Sequence, residues 1–270
     1  MAMAMLFWLT TFMPRPVKKG AMKRKEGDQR TPIGVYFITG RISSDELPDF
    51  YGPAALPVNY PNEWGVRLGR TGYGGWIHGG PSDTYSHVPR TSDGCVAISN
   101  QDLAPLLIML PAGQTPVVLA DGLDWIELEE LHQRRAELLN RIAHWREAWE
   151  SLNTVRYADF YLTEFQSESK DHDDCIAHKS RVNASKEFVD VRLNNLSVVG
   201  YPVEQQMVLP SFENDYRSSN FESVSKKRQC WRRARDGEWQ IVYEGAVRLR
   251  PEHVRGVPFS ARSNITQLSP

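Results

Sequence analysis

Cysteine is scarce in this chain. Only Cys95, Cys175 and Cys230 occur among 270 residues, an odd number that leaves at least one thiol free and excludes a small disulfide-stapled scaffold. Cys175 and Cys230 are permitted to pair in an oxidising compartment, which would leave Cys95 over; two reduced, buried thiols fit the sequence equally well. An excess of either charge is also missing. Lys and Arg total 32 against 33 Asp and Glu, a formal net charge of -1, and the basic residues gather only in short clusters such as Lys18, Lys19, Lys23, Arg24 and Lys25, or Lys226, Lys227, Arg228, Arg232 and Arg233. This balance argues against a nucleic-acid partner. Long hydrophobic runs are absent too. The opening MAMAMLFWLTTFM is apolar for about a dozen residues, too short to span a bilayer, with no basic residue ahead of it and no small-residue cleavage site after it, so it is not a clear export signal. No internal repeat or low-complexity tract interrupts the chain.

What is present is a globular composition, 41% hydrophobic and 24% charged, on a chain long enough for two domains. From 31 to about 120 the sequence is rich in Gly and Pro with short β-type runs, GVYFITGRI, WGVRLG, GWIHG, CVAIS and TPVVLA, which predict a β-rich domain. SNQDLAPLLIML predicts a short helix capped at Ser99. From Asp124 to Asn153 Leu and Ile recur at helical spacing among charges, predicting a long helix or two in succession. The expected division is residues 1–122 as the first domain, 123–138 as a linker helix, 139–250 as a second domain and 251–270 as a tail. In the second domain Trp145, Trp149, Tyr157, Phe160, Tyr161 and Phe165 fall on helical spacings and predict a packed core. Helices followed by antiparallel strands make it α+β.

Two short stretches carry candidate chemistry. Residues 76–80 read WIHGG and residues 92–98 read SDGCVAI. A thiol becomes an effective nucleophile when an imidazole takes its proton, and that imidazole needs a third group to orient it. His78 ends one short apolar run and Cys95 opens the next, so two neighbouring strand ends would bring them together. Gly94 exposes backbone beside the nucleophile, where an N–H can hold a developing oxyanion. A Gly-Cys pair in a turn is more often structural, so spacing alone leaves both readings open. His87 is the rival base, in the loop-like stretch SDTYSHVPR; the apolar run before His78 favours His78.

The ordered set TPIGVY at 31–36, with Thr31, Pro32, Gly34 and Tyr36, then His78-Gly79, then Ser92-Asp93-Gly94-Cys95, resembles the catalytic domain of the L,D-transpeptidase, or YkuD, family. The resemblance implies a cysteine enzyme acting on peptidoglycan stem peptides (muropeptides) in the periplasm or cell envelope, without metal or other cofactor. Cys95 would attack the L-centre carbonyl of diaminopimelate in its bond to D-Ala and form a thioester, resolved by water or by an amine. His78 would be base and then acid, oriented by the backbone carbonyl of Gly79. Gly94, Ser92, Tyr60 and Arg67 form the candidate substrate-binding and oxyanion set; Trp64 and Trp76, like Tyr60, are more often core than substrate platform. Family members often carry a second His where this chain has Asp93 and an Arg where it has Ala97. Arg67, Arg70 or Arg90 would then supply the positive charge. Members also generally begin with two strands before the Thr-Pro motif, so a truncated front is expected here.

WREAWESLNTVRYADFYLTEF, followed by the strand-like segments through EWQIVYE, resembles an NTF2-like domain. A transpeptidase domain followed by such a module is the layout of the Csd6/Pgp2-type cell-shape L,D-carboxypeptidases, which implies transfer to water in preference to an amine; the NTF2-like part also admits a homodimer. Asp93 and Ala97 also admit a catalytically weakened wall-binding scaffold. A pocket enzyme in the second domain, built on His178, Asp159 or Glu164, finds no specific spacing to support it.

Overall fold

The computed structural model describes residues 22–73, 75–83, 94–122, 125–202, 204 and 206–247. In the first half, β1 (Gly34–Phe37), β2 (Ile42–Ser43) and β3 (Ala54–Pro57) precede a short helix α1 (Glu63–Arg67), followed by β4 (Trp76–His78), β5 (Val96–Ala97), α2 (Asn100–Met109) and β6 (Pro116–Leu119). β1 pairs antiparallel with β6, while β2-β3-β4-β5 form a second sheet in which only the β4/β5 pair is parallel. Because side chains alternate across a strand, the second sheet has two distinct faces. One presents Leu56, Ile77 and Ile98 to a core shared with Tyr36, Val58, Tyr60 and Leu103. The other gathers Ile42, Ala55 and Trp76 with Leu47, and there Tyr51 and Cys95 pack against them.

WGVRLG, expected as a strand, is helix α1 and the turn after it. The local cause is Asn62, whose side chain accepts from the Gly65 N–H at 2.7 Å and so caps the helix. The helix expected at Ser99 is α2, with Ser99 as its cap.

The second half opens with α3 (Leu128–Glu150), one unbroken helix across 138 and 139. Its residues 128–137 are exposed, and burial starts at Leu138 and continues through Ile142, Trp145 and Trp149. The helical spacing of aromatics expected through 165 does not persist. Leu152 adopts a left-handed φ of 61°, the chain breaks, and after α4 (Thr154–Ala158) Tyr161 and Phe165 stand on strand β7 (Tyr161–Ser167). Then follow α5 (His172–Asn183), β8 (Val189–Gly200), β9 (Met207–Ser218), β10 (Phe221–Arg233) and β11 (Trp239–Ala246). The sheet order is β7-β11-β10-β9-β8, with β7 parallel to β11 and the rest antiparallel. The three helices line one face, where Trp145 and Trp149 pack on Phe212, Tyr216, Trp231 and Ile241.

The opposite face of this sheet is covered by the first half. Val35 and Phe37 of β1 and Trp64 of α1 share a core with Tyr201, Met207, Leu209, Cys230 and Val242. Polar contacts frame it: the Asn62 amide donates to the Tyr201 hydroxyl at 3.0 Å, Trp64 Nε1 to Glu204 at 2.7 Å, and Arg228 to Glu63 at 3.0 Å. Cys230 lies in this core and Cys175 against the helical one, and both are free thiols.

Candidate functional site

β4 and β5 run side by side with Ile77 opposite Val96 and His78 opposite Ala97, and the Ile98 N–H donates to the His78 carbonyl at 3.0 Å. Alternation then sends Ile77, Val96 and Ile98 into one core and leaves Trp76, His78, Cys95 and Ala97 on the other face. Cys95 packs beside Trp76 on that face. His78 and Cys95 therefore project from the same side of adjacent strands, one pair of positions apart along the ladder.

His78 is 2% exposed, and its Nδ1 lies 2.7 Å from the Gly79 carbonyl. A carbonyl only accepts, so Nδ1 carries the proton and Nε2 is the basic nitrogen. An aromatic wall stands over the ring. Tyr51 meets it edge-on at 5.0 Å between centroids and also meets Trp76 at 5.3 Å, while Phe50 lies 6.3 Å from the imidazole and is 45% exposed. Phe50, Tyr51 and Asn100, which bonds to Gly80, were not singled out from the sequence. The aromatic pair just ahead of Gly52 was the available signal for the first two.

Gly94 has a φ of 113°, and a Cβ there would stand 2.6 Å from the Arg30 carbonyl, so only glycine lets that backbone cross beside Cys95. The crossing segment is organised by Asp28. Its carboxylate accepts from the N–H groups of Arg24, Lys25 and Arg30 and pairs with Lys23 at 3.2 Å. Burial alone raises this carboxyl, but those donors and Lys23 outweigh it and hold it at about 2.

Two candidates fall elsewhere. Tyr60 is 1% exposed and its hydroxyl faces the Lys23 and Thr71 carbonyls, so it is a core residue with no open face for a ligand. Arg67 reaches across to the second half, donating to the Glu164 carbonyl at 2.6 Å and to Gln166 at 3.1 Å, with its guanidinium over the Trp64 ring. Arg70 donates to the Ile33 carbonyl at 3.3 Å. Ser92, Asp93, His87 and Arg90 lie outside the described residues.

The L,D-transpeptidase (YkuD) catalytic domain model matches residues 8–119, and that of the Cds6 C-terminal NTF2-like domain matches residues 137–245. The chain joins an L,D-transpeptidase domain to a Cds6-type NTF2-like domain. Among solved structures, Bd1075 of Bdellovibrio bacteriovorus is 27% identical with a TM-score of 0.72, covering 82% of this chain and 81% of that one. The helical cell shape determining protein Pgp2 of Campylobacter jejuni is 25% identical with a TM-score of 0.71, covering 87% and 81%. No curated protein sequence matches. Among the described residues no helix is long and apolar enough to cross a membrane.

The NTF2-like domain carries a polar cluster that sequence spacing did not flag. Glu244 accepts from Lys227 at 2.8 Å and from Gln229 at 2.7 Å, with the Tyr161 hydroxyl at 3.4 Å. Burial by itself raises the Glu244 carboxyl, yet Lys227, Gln229 and Lys179 outweigh it and keep it below the usual range. Lys179 Nζ stands 4.0 Å from the Trp149 ring centre and 4.6 Å from that of Tyr157. Burial lowers it to about 7, against the pull of Glu244. His178 and Glu164 are exposed, and Glu164 pairs with Arg232 at 3.0 Å.

Proposed function

We propose that the chain is a cysteine enzyme of peptidoglycan, working from the face that His78 and Cys95 share. That shared face is the observation carrying the reading, and the transpeptidase family match supports the reaction class. His78 Nε2 takes the Cys95 proton. Sγ attacks the L-centre carbonyl of diaminopimelate in its bond to D-Ala, and the tetrahedral oxyanion is held by backbone N–H groups beside Gly94. The C–N bond breaks as the imidazolium hands its proton to the D-Ala amine, leaving a thioester on Cys95. Water, deprotonated by His78, then cleaves the thioester and releases a tripeptide; an amine acceptor in its place yields a cross-link. The likeness to a cell-shape determining protein over most of the chain supports transfer to water, and with it work in the periplasm or cell envelope.

Purified chain incubated with disaccharide tetrapeptide is expected to release D-Ala and leave the tripeptide, read by mass spectrometry. Cys95→Ala abolishes release, and His78→Ala lowers it about 10²- to 10⁴-fold. Absence of D-Ala release together with retained binding to sacculi assigns the chain to the scaffold class instead.

A further inference from the structure

The Gly79–Gly80 peptide is gripped from both ends. Its carbonyl accepts from His78 Nδ1 at 2.7 Å, and its N–H donates to Asn100 Oδ1 at 2.9 Å. Asn100 Nδ2 also donates to the Gly80 carbonyl at 3.1 Å. The amide orientation is settled by these partners, since an N–H can only donate and a carbonyl only accept. A peptide unit is planar, so fixing the direction of the N–H fixes the opposite direction of the C=O. An N–H that donates also makes its own C=O a better acceptor. We infer that Asn100, the first residue of α2, is the positioning residue of this site, setting through the Gly79–Gly80 peptide both the orientation and the tautomer of His78.

The packing is built for that grip. A Cβ at position 79 would stand 2.1 Å from Asn100 Oδ1, so any side chain there displaces the amide. Gly52 closes over the same pair, its own Cβ position lying 2.7 Å from Asn100 Oδ1 and from the Gly80 carbonyl. Asn100 is brought to this spot by the chain itself, which leaves β5 at Ala97, bonds Ile98 to the His78 carbonyl and turns into α2 at Ser99.

The inference rests on His78 being the base of the proposed reaction, and the test separates the two. The ring-nitrogen resonances of His78 in ¹⁵N-histidine-labelled full chain report its tautomer without any turnover. Wild type is expected to show a single Nδ1–H form and Asn100→Ala a mixture of tautomers. With tetrapeptide as substrate, Asn100→Ala is expected to lower kcat about 10- to 100-fold with little change in KM. Asn100→Asp keeps the acceptor for the Gly80 N–H but sets a carboxylate oxygen against the Gly80 carbonyl to which Nδ2 donates, so it is expected to fall between wild type and Asn100→Ala in both ring spectrum and rate. An unchanged ring spectrum in Asn100→Ala overturns the inference, whether or not the rate falls, because a purely structural role leaves the tautomer alone. If Asn100→Ala does not fold, Asn100→Ser, whose short hydroxyl does not span the two contacts to Gly80, takes its place, and an unchanged ring spectrum in it overturns the inference. Undiminished D-Ala release and Cys95 alkylation in His78→Ala remove the reading of His78 as base, while the ring spectra still decide what Asn100 holds.

Discussion

Lys179 shows what burial does to one charge. Its value of about 7 lies well below the ordinary 10.5 because the ammonium leaves water on α5, and the Glu244 carboxylate recovers only part of that loss. Below pH 7 the group is charged in the folded and unfolded chain alike, and the whole burial cost weighs on folding. Between pH 7 and 10.5 the unfolded chain binds a proton that the folded one does not, so this group's contribution makes stability rise with pH across that window. Lys179→Met is therefore expected to stabilise the protein most at pH 6, by on the order of a few kcal/mol, with the gain fading towards pH 10. The ring faces of Trp149 and Tyr157 favour the cation and hold the effect at the lower end. Denaturant unfolding of both proteins at pH 6, 8 and 10 checks the sign, and a gain that grows with pH contradicts it.

At the scale of elements, α1 decides how the halves meet. Arg228 and Glu63 have side chains 4% and 17% exposed, and the Arg228 guanidinium lies 3.5 Å from the Phe37 ring centre. Removing one partner of so buried a pair leaves an uncompensated charge, so Glu63→Ala is expected to cost about 3 kcal/mol, measured as a lowered midpoint in urea. A double substitution of Glu63 and Arg228 by apolar residues of similar size should cost less. This element also shows where the sequence misleads. WGVRLG has the alternation and β-branched character of a strand, and what makes it helical is an Asn62 side chain whose partners, Gly65, the Val35 carbonyl and Tyr201, lie partly in other elements. The His-Gly and Gly-Cys stretches were legible because their chemistry is local, and the Ser99 cap because it acts within three residues. Asn100 was not, because its function depends on Gly80, which the fold alone brings near. The aromatic stripe was legible as core but not as helix, since burial sets the spacing of Tyr161 and Phe165 on a strand as it does that of Trp145 and Trp149 on a helix.

At the scale of the molecule, the outer face of the five-stranded sheet is completed only when β1 and α1 lie on it. Fully burying a side chain such as Val35, Phe37 or Leu209 contributes about 1.5–3 kcal/mol, so separating the halves exposes much of what stabilises each. The chain is accordingly expected to unfold as one unit, with a single calorimetric transition whose van't Hoff and calorimetric enthalpies agree. Two resolved transitions would contradict it. The same docking also sets what a second copy can reach. The first half occupies the outer sheet surface from within the same chain and competes at an effective concentration that no free molecule matches. A second copy that docked on the NTF2-like domain would therefore need other ground: the edge of β8, which is unpaired among the described residues, the exposed helical side, or the outer sheet only after the chain has let go of itself.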